Sequence, residues 1–186
     1  MTRYSTTLSI VINKKAFKDS DWLITLLTQK HGKIICIAKG AHNIRSHRSS
    51  SLQLGNIIKA HLYTKDNFCW LTECQTIVSF LQKPKNLAQI NLLFYFLELV
   101  NLVIAENQNI DDAYQISRDL ITSINHNRVA DYLNNEIKLI SALGFGLPID
   151  IQQSFADNNF RRCQQLIQSF LETIIERPLE SQKLFS

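Results

Sequence analysis

Hydrophobic and polar positions alternate along the first part of the chain. Leu8, Ile10 and Ile12 fall on one face of residues 6–13, and polar residues separate them. Because successive side chains of a strand point to opposite faces, this period of two predicts a half-buried β-strand.

Two predicted hairpins follow this strand. Residues 22–28 and 33–38 are apolar and rich in β-branched side chains, and Gly32 between them can adopt the positive φ of a tight turn. Residues 57–64 and 68–77 repeat the pattern around a turn with Asp and Asn. Short antiparallel strands must close or cover their edges, so we expect a five-stranded Greek-key barrel of the OB type. An SH3-like barrel is the alternative, since strand count alone does not separate the two.

The periodicity changes after residue 83, where apolar residues recur at steps of three and four. This spacing predicts amphipathic helices packed as a bundle. Asp111 or Asp112 is the expected N-cap of the second helix, Gly144 ends the third, and Asp157 begins the fourth. The predicted stripes are Leu87, Ile90, Leu93, Phe94, Leu97, Val100 and Ile104; Ala113, Leu120, Ile121 and Ile124; Val129, Leu133, Ile137 and Ile140; and Cys163, Leu166, Ile167, Phe170, Ile174 and Ile175. We therefore predict an α+β protein with a barrel at 1–83 and a helical domain at 84–186.

Charge is distributed unequally between these halves. Residues 1–83 carry a net charge of +8 and residues 84–186 carry −4. Such asymmetry favours a domain that binds a polyanion, joined to a domain with another role.

The connection between the third and fourth strands, residues 39–51, is the strongest local feature. It contains Lys39, Arg45, Arg48 and two histidines among Ser and Asn side chains, without an acid. Phosphate contacts in nucleic-acid complexes use this mixture of cations and neutral donors. Trp22, Phe68 and Trp70 lie on or beside strands and are candidates for stacking on bases, although aromatic residues of strands also fill cores.

Sequence motifs for catalysis and metal binding are absent. Phosphate-binding glycine loops, the nucleophile elbow and H-E-x-x-H do not occur, and the histidines are scattered. Cys36, Cys69, Cys74 and Cys163 lack the paired spacing of a zinc site, so we expect free thiols and no metal or cofactor. The most apolar segment is interrupted by Asn91, Glu98 and Asn101, which argues against a membrane span. We expect a cytoplasmic protein that is not an enzyme.

Several short blocks resemble the RecO family of bacterial DNA-repair mediators. Residues 17–28, 31–33, 38–41 and 52–53 resemble the family's N-terminal barrel. Residues 135–146 resemble its helix end F-E-L-x-L-L-x-x-L-G-Y-G, and residues 177–185 resemble its closing P-L-K-S-R-x-L-F. Lys18 replaces a usual glycine, and Glu180 and Gln182 replace usual cations. The four-cysteine metal finger of some members has no counterpart in this chain.

The resemblance implies an OB-fold that binds single-stranded DNA, anneals complementary strands and is nucleoid-associated. It implies RecR as a partner, the C-terminal tail of single-strand-binding protein (SSB) as a ligand of the helical half, and indirect cooperation with RecA. The predicted phosphate contacts are Lys14, Lys15, Lys18, Lys33, Lys39, Arg45 and Arg48, with Lys30 and Lys59 as lesser candidates. Weak candidates for binding the tail are Arg118, Arg128 and Lys138. A protein-interaction adaptor and an RNA-binding OB protein are the alternatives.

Overall fold

The computed structural model describes residues 3–41, 47–82, 85–108, 110 and 112–181. The chain divides into two compact units. Unit 1 is Met1–Pro84 together with Ile104–Asn109, and unit 2 is Lys85–Val103 together with Ile110–Ser186. The segment 104–109 belongs with the strands because Asn107 donates its backbone N–H to the carbonyl oxygen of Lys33 at 2.7 Å.

Five strands form a closed barrel within the described part of unit 1, in the order β1-β2-β3-β5-β4. They are β1 (Arg3–Phe17), β2 (Asp21–Thr28), β3 (Gly32–Ala38), β4 (Ile57–Lys65) and β5 (Phe68–Val78). Neighbours pair antiparallel except β3 and β5, which pair parallel at Ile37 and Trp70. A short helix, α1 (His47–Ser51), connects β3 to β4. The predicted OB fold is confirmed.

Strand β1 is longer than the predicted 6–13 and joins two neighbours. Its first part pairs with β4, its second part pairs with β2, and the register shifts between Val11 and Asn13. The predicted strand is present, and the β1 residue that belongs to the barrel's core cluster is Val11, on the face opposite Leu8 and Ile10. Ile10 and Ile12 are nevertheless buried on the other face, at 0% and 2% exposure.

Alternate residues of the strands fill the barrel. The core cluster consists of Val11, Ile24, Leu26, Ile34, Cys36, Ala38, Ala41, Leu52, Ile58, Ala60, Leu62 and Leu71. Asn56 fixes the end that α1 occupies: its side-chain amide donates to the carbonyl oxygens of Ser50 and Ser51 and accepts from the N–H of Phe80 at 3.1 Å. These hydrogen bonds hold α1 and the segment that follows β5 against the barrel. They also give buried polar groups the hydrogen-bond partners that such groups need.

Unit 2 is helical, as the spacing of three and four predicted. Its helices are α2 (Leu87–Val103), α3 (Ala113–Asn125), α4 (Val129–Ala142), α5 (Ile149–Ala156) and α6 (Phe160–Ile175). Helix α5 was not predicted. It is only eight residues long and begins directly after Pro148.

Of two predicted helix starts, one needs correction. Asp112 is the N-cap residue of α3, as expected, although it has a φ of 61° and its side chain makes no capping hydrogen bond; Asp111 lies outside the described residues. Asp157 follows α5 rather than beginning the next helix. Asn159 is the N-cap of α6 instead, and its side chain accepts from the N–H of Arg162 at 3.3 Å. Asn at this position satisfies an amide that the first turn leaves free.

In the part of the chain that the structure describes, no helix has both the length and the apolar character needed to cross a bilayer.

Candidate nucleic-acid interface

The last residues of β1 and the turn that follows display two of the predicted cations. Lys15 and Lys18 are exposed, and the Lys18 ammonium lies 5.4 Å from the ring centroid of Phe17. Lys18 has a φ of 54°. That left-handed conformation is strained for any residue with a Cβ.

Lys14 is held more tightly than its neighbour. Its Nζ lies 3.4 Å from Oε1 of Gln53 and 5.4 Å from the ring centroid of Trp22. Burial lowers the pKa of Lys14 below its usual value. Trp22 packs against the barrel core. The pair of Lys14 and Trp22 therefore covers one end of the barrel, and the Trp22 ring is not free to stack on a base.

Lys39 is exposed just after β3 and lies at the same end of the barrel as this turn. The N–H of Gly40 donates to Oδ1 of Asp21 at 2.8 Å. Because Asp21 pairs with Phe17 across the β1-β2 hairpin, the hydrogen bond links the end of β3 to the turn that carries Lys18. The structure thus brings cations from separate parts of the sequence to one barrel end.

The guanidinium of Arg48 has a structural role. It donates to the backbone carbonyl oxygens of Lys39, of Leu71 at 3.4 Å and of Thr72 at 3.2 Å. These hydrogen bonds connect α1 with β5 and with the residue after β3. Arg48 was predicted as a phosphate contact, and in the structure its guanidinium donates to the protein's own carbonyl groups.

Lys33 and Arg45 complete the predicted set. Lys33 is only 6% exposed. Its pKa is lowered by burial and raised in part by the charge of Glu106. The prediction that Lys33 is an exposed phosphate contact is therefore corrected. Its ammonium group is buried and lies beside a carboxylate of segment 104–109. Arg45 lies outside the described residues. Lys30 and Lys59 are exposed.

An exposed aromatic cluster lies on the outer wall of the barrel. Ring centroids are 4.9 Å apart for Tyr4 and Tyr63, 5.5 Å for Tyr63 and Trp70, and 5.9 Å for Phe68 and Trp70. Tyr4 is 76% exposed and Phe68 60%. Phe68 and Trp70 were predicted from the sequence as stacking candidates. Tyr4 and Tyr63 were not, because their proximity depends on the register between β1 and β4.

Unit 2 contains a separate cleft of about 360 Å³. Its lining includes apolar residues of α2 to α4, among them Leu92, Ile124 and Val129, and Arg128 lies at its edge. No acidic side chain among the described residues lines it. Arg118 and Lys138, the other predicted partner-binding cations, are exposed but do not line this cleft.

A buried carboxyl group lies beneath the cleft. Tyr95 and Tyr132 line the cleft, and the Tyr132 hydroxyl donates to Oε1 of Glu136 at 3.4 Å. Burial raises the pKa of Glu136 to about 7, and hydrogen bonds from Tyr95 and Tyr132 offset only part of that rise. Oε2 of Glu136 has no hydrogen-bond partner among the described residues.

The cysteines are free thiols in the structure. Cys36 belongs to the barrel core, Cys69 and Cys74 pack against it, and Cys163 is buried in unit 2. Over the described ranges, no group of three or more His, Cys, Asp or Glu residues is placed to hold a metal ion.

The barrel, its cationic end and the helical unit define an OB-fold protein of α+β architecture. The family Recombination protein O N terminal matches residues 1–80. The chain is similar to the DNA repair protein RecO of Symbiobacterium thermophilum, with 30% identity over 142 residues that cover 73% of this chain and 55% of the relative. The DNA repair protein RecO of Chloroherpeton thalassium is 26% identical over 162 residues, covering 84% and 58%. That of Acetivibrio thermocellus is 27% identical over 145 residues, covering 76% and 58%.

The chain belongs to the RecO family, since the family match covers the barrel and the relatives align well into the helical unit. The matches cover 55% to 58% of the length of these three relatives, so the chain spans little more than half of each.

Proposed function

We propose that this chain acts in DNA repair and recombination by binding single-stranded DNA through unit 1. The observation that carries the proposal is the end of the OB barrel where Lys15, Lys18 and Lys39 are exposed together. The loops at barrel ends and the face of the second and third strands are where OB folds bind oligonucleotides. The family's DNA-repair relatives support the same role.

The mechanism requires no covalent chemistry. Lys and Arg side chains that neutralise phosphates release condensed counterions, which favours binding at low salt. A cationic surface that binds two complementary strands also reduces the repulsion between their phosphates. We therefore infer that strand annealing is a consequence of binding and that the chain is not an enzyme.

The helical unit is proposed to bind a protein partner, the acidic C-terminal tail of SSB. Its cleft combines an apolar lining with Arg128, which is suited to a short peptide with an apolar end and an acidic segment. Nη1 of Arg128 already lies 3.6 Å from Oδ2 of Asp131, and both side chains are more than half exposed. Exposed ion pairs of this kind contribute about 1 kcal/mol or less, so exchange of Asp131 for a peptide carboxylate costs little. RecR and, through it, RecA complete the proposed assembly.

A titration of labelled oligothymidylate at several salt concentrations tests the proposal. The double variant K15A/K39A should reduce the slope of log affinity against log salt by about 1.4, at about 0.7 per phosphate contact with a single strand. The matched control is R161A/R162A, which removes two exposed cations from α6 in unit 2 and should leave the slope unchanged. Equal effects of the two double variants, or affinity that is independent of salt, would contradict electrostatic binding through the barrel end, and negligible binding of oligothymidylate by the wild type would support the protein-interaction adaptor.

A further inference from the structure

Directly opposed residues of neighbouring strands form one continuous row around the outside of the barrel. Lys15 on β1 pairs with Leu23 on β2, Leu23 with Ile37 on β3, and Ile37 with Trp70 on β5. Trp70 then pairs with Tyr63 on β4, and Tyr63 with Tyr4 at the start of β1. Neighbouring strands lie about 4.8 Å apart, so the path from Leu23 to Tyr4 spans about 20 Å.

The row points away from the core. Neighbours of its members in the strands, Ile24, Cys36, Leu62 and Leu71, belong to the core cluster. Because side chains alternate between the two faces of a strand, the row residues lie on the outer face. Each of them is at least partly exposed. A row of partly exposed apolar side chains on a barrel wall is not explained by the packing of the barrel itself.

Aromatic rings dominate the far end of the row. Tyr4, Tyr63 and Trp70 occupy directly opposed positions and are joined by Phe68 two residues along β5. The rings are tilted by 37° to 42° relative to one another. They therefore do not stack flat on each other, and the strongly exposed rings of Tyr4 and Phe68 offer faces to planar ligands.

Cations flank the row at both ends. Lys15 begins it, and Arg3 and Lys65 are exposed beside its aromatic end. One acid, Asp66, lies in the adjacent turn. Planar apolar faces between cations complement a single-stranded nucleic acid, in which a negative backbone carries flat bases.

We propose that this row is the base-stacking path of unit 1, along which unpaired bases of single-stranded DNA contact Trp70, Phe68 and Tyr4 while the phosphates follow the flanking cations. This proposal rests on the proposed function and adds a second contribution to the affinity for DNA. Cations at the barrel end supply salt-dependent affinity for any polyanion. The aromatic row supplies affinity that requires bases and is insensitive to salt, because stacking releases no counterions.

Two oligonucleotides of equal length separate these components: oligothymidylate and the same backbone with abasic sites in place of thymidine. The test variant is Y4S/F68S, which changes side chains that are 76% and 60% exposed and so preserves the core. The matched control is I77S, which replaces an apolar side chain of the same strand that is 52% exposed but lies outside the row. W70F and W70L form a second pair, since Phe retains an aromatic face and Leu does not.

We expect wild-type protein to prefer oligothymidylate over the abasic strand. Y4S/F68S should lose about five- to a hundredfold in affinity for oligothymidylate, as stacked aromatic residues do, and change abasic binding by less than about twofold. Its salt slope should equal that of the wild type. I77S should bind as the wild type does, and W70F should retain much of the affinity that W70L loses.

Different failures have different meanings. If the wild type binds both oligonucleotides equally and Y4S/F68S changes neither, the stacking path is refuted while DNA binding stands. If the wild type binds neither oligonucleotide, the proposed function fails and the stacking path with it. If Y4S/F68S binds DNA normally but abolishes self-association in sedimentation experiments, the row is a contact between copies of the chain, and the proposal is wrong.

Discussion

The Arg48 guanidinium donates a hydrogen bond to the backbone carbonyl oxygen of Lys39. Two residues that were predicted in one phosphate-binding loop therefore differ in role: Lys39 is exposed, whereas Arg48 fixes the backbone that carries Lys39. Arg48 also donates to the carbonyl oxygens of Leu71 and Thr72 on β5. Under the proposed function, the contribution of Arg48 to DNA binding is therefore indirect.

We predict that Arg48→Ala lowers the free energy of unfolding by about 1–3 kcal/mol, because carbonyl groups that now accept from a charged donor lose their partner. Lys39→Ala should change it by less than about 0.5 kcal/mol, as is usual for exposed side chains. Urea denaturation of both variants measures the difference. Equal stabilities would show that the Arg48 hydrogen bonds contribute nothing net.

Lys18 provides a second prediction in which stability and binding change in opposite directions. Lys18→Gly should raise the free energy of unfolding of unit 1 by about 1 kcal/mol, since glycine adopts the observed φ of 54° without strain. It should also weaken binding to oligothymidylate by removing one cation. Lys18→Ala is the control: it loses the same charge but keeps the strain. Thermal denaturation and a salt titration of both variants therefore separate the two effects, and identical stabilities of the Gly and Ala variants would contradict the strain argument.

The sequence predicted what depends on local pattern and missed what depends on register. Alternation along β1 to β5 predicted the strands, and the turn at Asp66 and Asn67 adopts the positive φ angles of 47° and 65° that favour Asx residues. The row from Leu23 to Tyr4 could not be predicted, because pairing of Tyr4 with Tyr63 and of Ile37 with Trp70 joins distant segments. The register shift between Val11 and Asn13 is likewise not visible in the alternation of residues 6–13.

The candidate site was predicted to a similar extent. Exposed cations such as Lys15, Lys18 and Lys39 follow from charge and position along the chain. The burial of Lys33 beside Glu106 does not, because segment 104–109 packs in unit 1 although it follows a helix of unit 2. Composition shows how many cations a domain has, whereas tertiary contacts decide which of them remain accessible.

The closing segment of unit 2 supplies a third prediction. The Glu98 carboxylate accepts hydrogen bonds from the backbone N–H groups of Glu180 and Ser181, each at 2.8 Å. Burial raises the pKa of Glu98, but hydrogen bonds from Ser181 and Glu180 and the charge of Arg177 outweigh it and lower the pKa below the usual value. The contribution of Glu98 to the folding stability is thus present above the ordinary glutamate pKa, and it is lost as the pH falls through the lowered pKa of Glu98.

Glu98→Gln should therefore release the segment around Leu179, because an amide offers one acceptor oxygen where the carboxylate offers two. We expect faster hydrogen exchange at the Ser181 amide and a loss of about 1–2 kcal/mol in the unfolding free energy. Glu180→Gln is the matched control, since Glu180 contributes its backbone N–H to this contact. Unchanged exchange at Ser181 in the Glu98 variant would rule out the anchoring role.

The last prediction concerns Glu136, a carboxyl group that is 1% exposed beneath the cleft of unit 2. Its pKa is raised by burial to about 7 in the folded chain, whereas an unfolded glutamate titrates near about 4.3. The unfolded chain therefore releases this proton at lower pH than the folded chain does. The stabilisation from the protonated Glu136 is complete below the unfolded pKa and is lost as the pH rises through the folded pKa, by up to about 4 kcal/mol.

We accordingly expect the unfolding free energy of unit 2 to fall between about pH 4.5 and pH 7.5, and Glu136→Gln to flatten this part of the curve. The absolute stability of the variant does not decide the matter, because a buried amide brings its own unsatisfied donors; the slope with pH does. Asp157→Asn, a change to an exposed carboxylate, should leave the slope as it is. Denaturant titrations monitored by circular dichroism across this pH range provide the measurement. If the Gln variant keeps the wild-type slope, Glu136 is already ionised in the folded chain, and burial does not dominate its pKa.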